Sequence, residues 1–293
     1  METPFEQFSI FDIELPPCIE EKPRQAIPEK EPFSMAKVPD EEFLFETHKT
    51  TRTDIPTVNE ILKLLEKGLY KVNAHEFLSD VFECGAIAIS NRFDMIHFDE
   101  REKRYLQIIK KYDQSMQTLI AEIFAKIYLL LSQQIHPAVG FNDYLGELYM
   151  RSETSNSKTG QFFTPYCVSK ACAKIAINES VVQDAIKEDK ILTLSEPACG
   201  AGGMIIAAAD VLYFEHHFNI ARNLFVECSD IDSRCVHMTY LQLGLAGIPA
   251  VIFKRDTLSM QTWERWETPA YIMQYTRFKH ILQGTANDWK GNG

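Results

Sequence analysis

The feature that most limits what this chain can fold into is a glycine-rich turn. The apolar stretch Ile191-Leu192-Thr193-Leu194 leads into Glu196-Pro197-Ala198-Cys199-Gly200-Ala201-Gly202-Gly203, and an apolar helix reads on from Met204 to Phe214. The short strand Leu224-Phe225-Val226 follows, then an acidic turn, Asp230-Ile231-Asp232, a helix ending at Leu245, and a strand Ala250-Val251-Ile252-Phe253 that runs into Arg255-Asp256. Strand–helix–strand–helix–strand predicts a doubly wound α/β sheet. In such a sheet ligands bind outside the carboxyl ends of the strands, where glycines let the backbone come close and leave helix N–H groups facing the ligand. The spacing here is G-x-G-G. It is neither the G-x-G-x-x-G of a dinucleotide site nor a G-x-x-x-x-G-K-[ST] phosphate loop, so a pyrophosphate ligand is disfavoured. Asp230 is placed to accept from both hydroxyls of a ribose, and Asp256 from the exocyclic amine of an adenine. Each of these is, taken singly, also an ordinary turn residue. All three in order, Gly, Asp and Asp at successive strand ends, predict a nucleoside-type ligand without phosphates.

Composition divides the 293 residues into three parts. Residues 1–45 hold seven of the thirteen prolines, and eleven acids against four bases give them −7 of the chain's −11. Such a segment reads as a solvated acidic tail, with Phe5, Phe8 and Phe11 as an alternative docking motif. Residues 46–150 read as a helical domain. Pro56, Val58, Ile61, Leu62 and Leu65 start one stripe, and Leu106 to Leu131 form one long amphipathic helix of up to seven turns. A short helix, Tyr144 to Met150, follows. Residues 151–293 carry the α/β pattern, with a further helix over Val168–Ile177. The seven cysteines are scattered without C-x-x-C pairs, which favours a reducing compartment over disulfides or structural zinc. No metal site is expected. Apolar runs such as Ile127 to Leu131 are far shorter than the roughly 20 residues that span a bilayer. The N-terminus lacks the basic and apolar blocks of a secretory signal. The expectation is a cytoplasmic protein without a membrane partner.

Four blocks together resemble a known family: Gly160-Gln161-Phe162-Phe163-Thr164-Pro165, Glu196 to Gly203, Asp230-Ile231-Asp232 and Asp256-Thr257-Leu258. They resemble the adenine-N6 DNA methyltransferases, and most of all the modification subunits of type I restriction–modification systems with their phage and plasmid relatives. The run Phe141 to Tyr149 is similar to the helix that leads into the site in that family. The resemblance implies a Rossmann-like methyltransferase sheet, S-adenosylmethionine as cofactor, DNA adenine as target, and a specificity subunit or other protein as partner. It assigns Phe163 and Thr164 to the methionine end of the cofactor and counts Gln161 among the cofactor-binding residues. Glu196, Pro197, Cys199, Gly200 and Gly202 would form the turn that wraps it, Asp230 would hold the ribose, Ile231 would pack on the adenine, and Asp256 would accept from its amino group. Cys199 reads as a small buried filler, because N6 transfer needs no covalent step.

The sequence also departs from that family. Its members carry an Asn/Asp/Ser-Pro-Pro-aromatic turn that accepts from the target amine and stacks on the flipped base. Here the nearest match is Thr268-Pro269-Ala270-Tyr271, twelve residues past Asp256, so Thr268, Pro269 and Tyr271 are the candidate catalytic residues. Only 22 residues follow Tyr271, too few for the remaining strands of a full methyltransferase sheet, so the sheet is expected to be truncated. The alternative is a cofactor-binding interaction or regulatory module without catalysis. Lys254, Arg255, Arg265, Arg277, Lys279 and Lys290 are the basic cluster that would face a target strand; such a cluster also reads as a solvated face.

Overall fold

The computed structural model describes residues 55–69, 74–152, 163–279 and 281. The acidic tail with its three phenylalanines, Gln161 and Lys290 lie outside them.

Five helices precede the sheet. α1 (Val58–Leu69) buries Ile61, Leu62, Leu64 and Leu65, the face its i, i+3, i+4 stripe predicts. α2 (Ala74–Ser90) carries a short polar stripe, Glu76, Ser79, Asp80 and Glu83, and turns apolar from Cys84 to Ile89; Phe77, Leu78, Val81, Phe82, Cys84, Ala86 and Ile87 are all buried. The periodic signal stops halfway along, and the sequence reading does not single this helix out. α3 (Phe98–Ile109) and α4 (Gln114–Ser132) replace the single long helix expected over 106–131. The break has a local cause. Asp113 takes an extended conformation, and its carboxylate accepts from the Met116 N–H at 2.9 Å. Gln117 Nε2 reaches back to the carbonyls of Ile109 and Tyr112 at 3.2 and 2.9 Å, closing the end of α3. By length and composition alone, α4 is long and apolar enough to cross a membrane. Its Met116, Ile120, Ile123, Phe124, Ile127, Leu130 and Leu131 are buried within this fold, as in a core helix. α5 (Tyr144–Arg151) is capped by Asp143, which accepts from the Gly146 N–H at 2.9 Å.

The remaining elements alternate. α6 (Tyr166–Ala176) and α7 (Glu179–Lys187) lead to β1 (Leu192–Glu196), then α8 (Gly203–Asp210), which runs into a π-helical turn over Val211–Glu215. α9 (Ile220–Asn223), β2 (Leu224–Asp230), α10 (Ser233–Leu245), β3 (Ala250–Asp256), β4 (Gln261–Glu267) and α11 (Pro269–Met273) complete the chain. Among the described residues the sheet order is β1-β2-β3-β4. β1 and β2 pair in parallel, as do β2 and β3; β4 folds back antiparallel on β3. The α/β reading holds, but the order follows the chain without the reversal of a doubly wound sheet.

One face of the sheet is covered by α8 and α10, whose Ile205, Ile206, Val236, Tyr240 and Leu243 are buried. Helices α2 and α4 pack on the far side of α10. The described residues from Ile55 to Ile281 fall within one compact unit. On the other face Phe225, Val251 and Phe253 pack against Tyr271 and Phe278. Toward the carboxyl ends that face opens into a groove of about 700 Å³ lined by Ser195, Glu227, Ser229, Arg255 and Thr257.

Candidate cofactor site

The carboxyl ends of β1, β2 and β3 are drawn together by short polar contacts. The Pro197 carbonyl, just past β1, accepts from Ser229 Oγ of β2 at 3.2 Å and from Thr257 Oγ1, just past β3, at 2.6 Å. The Cys199 N–H donates to the Ser229 carbonyl at 2.9 Å, which brings the glycine turn onto the end of β2. At its centre is Asp230. One carboxylate oxygen accepts from the Gly200 N–H and the other from the Asp232 N–H, both at 2.9 Å. Each oxygen of an ionised carboxylate has a second lone pair, so a carboxylate fixed in this way retains capacity for a diol. Burial raises the Asp230 pKa, and the two backbone donors oppose that rise.

Gly200 and Gly202 adopt φ of 55° and 93°, the left-handed region that L side chains rarely enter. Gly200 also leaves space: a β-carbon there would meet the Phe163 ring at 3.0 Å. Phe163 is itself held against Tyr149 of α5, ring centroids 5.4 Å apart. The Tyr149 hydroxyl is tied to Arg234 at 3.0 Å, and Arg234 pairs with Asp232, the N-cap of α10. Thr164 is exposed beside Phe163. Helix α6, which follows them, is anchored to α8 where the Tyr166 hydroxyl and Lys170 Nζ both reach Asp210 Oδ2, at 2.8 and 2.7 Å.

Of the residues expected from the sequence, Phe163, Gly200, Gly202 and Asp230 meet through these contacts. Pro197 and Asp256 take their places at adjoining strand ends. Glu196 Oε1 accepts from the Ala198 N–H at 3.2 Å and so shapes the turn. Cys199 is buried, as a filler would be. Ile231 is 61% exposed, an apolar surface next to the acid that would hold a ribose. Asp256 Oδ1 accepts from the N–H groups of Leu258 and Ser259 at 2.9 and 3.3 Å. Hydrogen bonding from Ser259 and the Leu258 N–H holds its pKa below the ordinary carboxylate value.

The catalytic candidates are corrected. Thr268 is the N-cap of α11 and fully buried; its Oγ1 accepts from the Ala250 N–H and donates to the Ile248 carbonyl, each at 2.8 Å. Ala250 begins β3, whereas Asp256 ends it, so Thr268, Pro269 and Tyr271 sit at the opposite end of the sheet from the glycine turn. Pro269 is buried at the start of α11, and Tyr271 is packed between Phe225 and Phe278. Side chains enclosed there cannot reach a substrate at the carboxyl ends. The basic cluster carries counterions of its own. Lys254 pairs with Glu264, Arg255 with Glu227, Arg265 with Glu267 and Arg277 with Asp189. Those four cations are matched by acids of the same fold.

Sequence reading missed Arg234, Thr239 and Gln242 of α10, and it placed Asp143 and Tyr149 only within the run Phe141 to Tyr149 that leads into the site; all five support the turn. One signal was present: Thr239 and Gln242 are three apart and polar in the middle of an otherwise apolar helix.

Among known proteins, residues 142–287, half of the chain to within a residue, match the family model described as N-6 DNA methylase. No curated protein matches the chain. A solved structure from Listeria monocytogenes, described as a class I S-adenosylmethionine-dependent methyltransferase, is 13% identical with a TM-score of 0.35. The match covers 64% of this chain and 55% of that one. A superposition that loose adds nothing to the assignment.

Proposed function

From a chain that belongs, through residues 142–287, to the N-6 DNA methylase family, we propose an S-adenosylmethionine-dependent methyltransferase acting on adenine N6 in DNA, as part of an assembly that completes its active site. S-adenosylmethionine is the cofactor that membership brings, and the residues present fit it. A sulfonium cofactor carries no phosphate, and this turn offers close backbone, one fixed carboxylate for the ribose and an exposed isoleucine for the adenine. The observation that carries the reading is Asp230, locked between the Gly200 and Asp232 N–H groups at the junction of two strands.

The bound cofactor supplies the methyl group. The chain's own residues bind and orient: Asp230 accepts from the ribose hydroxyls, Phe163 and Thr164 border the methionine end, and Asp256 accepts from the adenine amine. Orientation of this kind accounts for a large share of transfer catalysis, since it converts an encounter into an aligned pair. The acceptor that steers the target amine is not supplied by Thr268–Tyr271, so we assign it to a partner, in keeping with a modification subunit beside a specificity subunit. The test is transfer of labelled methyl groups to DNA by the chain with and without such partners. Labelling of adenine N6 that is lost on Asp230→Ala supports the reading; labelling unchanged by that substitution overturns it.

One observation favours a second reading, a cofactor-binding regulatory module without transfer: the only Thr-Pro-Ala-Tyr turn is buried at the wrong end of the sheet. Methyl groups deposited on DNA by the chain alone would exclude it.

A further inference from the structure

Two consecutive carbonyls of the glycine turn are gripped by one helix. On α10, Thr239 Oγ1 donates to the Gly200 carbonyl at 2.8 Å, and Gln242 Nε2 donates to the Ala201 carbonyl at 2.7 Å. Residues three apart share a helix face, so α10 meets the turn with a matched pair of donors. Gln242 is fully buried, and its amide is itself held from a third element. Nε2 also donates to Asp143 Oδ1 at 2.8 Å, and Oε1 accepts from the Leu145 N–H of α5 at 3.3 Å. The same Asp143 oxygen caps α5 through the Gly146 N–H. Its other oxygen lies against the start of α8, where a β-carbon on Gly203 would come within 2.7 Å. Asp143 is buried, 6% exposed.

We propose that Asp143 and Gln242 are positioning residues that lock the glycine turn in its cofactor-binding shape, Asp143 by fixing which way the Gln242 amide faces and Gln242 by holding the Ala201 carbonyl. This rests on the reading of that turn as the S-adenosylmethionine site. The physical reason is direct. A turn with two left-handed glycines has many conformations to lose on ordering, and a buried amide with all its partners satisfied leaves it one. Rotating the Gln242 amide would set its oxygen against both the Ala201 carbonyl and the Asp143 carboxylate. Burial raises the Asp143 pKa, so a neutral side chain of the same shape suits the site. Asparagine at this position keeps an acceptor oxygen for Gln242 and Gly146.

The test uses the full chain with Asp143→Ala, Asp143→Asn and Gln242→Met. Amide hydrogen exchange is followed at residues 199–204, with α2 as the internal reference, and S-adenosylmethionine binding by calorimetry. The expected result is that Asp143→Ala and Gln242→Met speed exchange in the turn on the order of tenfold relative to α2. Both weaken cofactor binding by a similar factor, while Asp143→Asn restores both. If Asp143→Ala does not fold, Gln242→Met against the wild type decides. Exchange in the turn that rises no more than in α2, or Asn that rescues nothing, overturns the proposal. A wild-type chain that binds no cofactor overturns the functional reading instead, and the exchange comparison still decides whether these residues hold the turn.

Discussion

Gly200 joins two requirements in one residue: a left-handed φ and a Phe163 ring 3.0 Å from any β-carbon. The left-handed backbone alone costs an L residue roughly 1–2 kcal/mol. Gly200→Ala is therefore expected to lower the melting temperature modestly and to weaken cofactor binding more than stability, since Phe163 must move; calorimetry and thermal melting on the same sample separate the two. Asp230 makes a prediction in pH. Its folded pKa is raised, so this group's contribution to stability is present at low pH and lost as pH rises through that pKa. Ribose binding runs the other way, because it uses the ionised acceptor. Cofactor affinity should thus decline on acidification from above the ordinary Asp value of about 3.9; affinity flat down to that value would contradict the role. At the far end of β3, Thr268→Val removes two buried hydrogen bonds and should cost about 1–3 kcal/mol in urea unfolding. Its cofactor affinity should stay unchanged, as expected of a structural cap.

At the scale of elements, α10 meets more of the protein than any other helix: sheet on one side, α2 and α4 on the other, the glycine turn at its middle. The helical layer is tied to the sheet edge by Arg101 of α3. Its guanidinium pairs with buried Asp94 at 2.6 Å, donates to the Arg265 carbonyl of β4 at 2.9 Å and lies 4.1 Å over the Trp266 ring. Arg101→Ala leaves buried Asp94 with only its Ile96 and His97 contacts and should destabilise by about 2 kcal/mol, read as a shift of the urea midpoint; a shift under one third of that would show the tie to be incidental. Several of these elements were legible beforehand. Strands β1, β2 and β3 and the Gly–Asp–Asp order at their ends follow from period and turn chemistry, and the stripe of α1 from its polar outer face; β4, mostly exposed and rich in charged and aromatic residues, was not read as a strand. α2 was not singled out because its polar stripe ends at Glu83 and the second half is apolar on all sides. The break at Asp113 was overlooked because the apolar stripe carries across it while the cap is a matter of one carboxylate. The polar pair Thr239 and Gln242 could be seen in the sequence, but that Gln242 meets Asp143 could not, because the two lie ninety-nine residues apart and meet only in the fold.

For the molecule as a whole, the charge and the sheet point the same way. Four of the basic residues near the C-terminal strands are paired with acids of the chain itself, and the chain carries a net −11. Phosphate affinity depends on cations free to displace counterions. The chain alone is therefore expected to shift DNA weakly even at low salt, and to gain affinity with a partner; tight, salt-sensitive binding by the chain alone would contradict this. The proposed S-adenosylmethionine site, organised on Asp230 at the ends of three strands, stands or falls on calorimetric titration of the full chain with S-adenosylmethionine beside Asp230→Ala. Expected is micromolar binding to the wild type that disappears in the variant while the melting temperature stays within a few degrees; binding of equal strength in both would rule the site out.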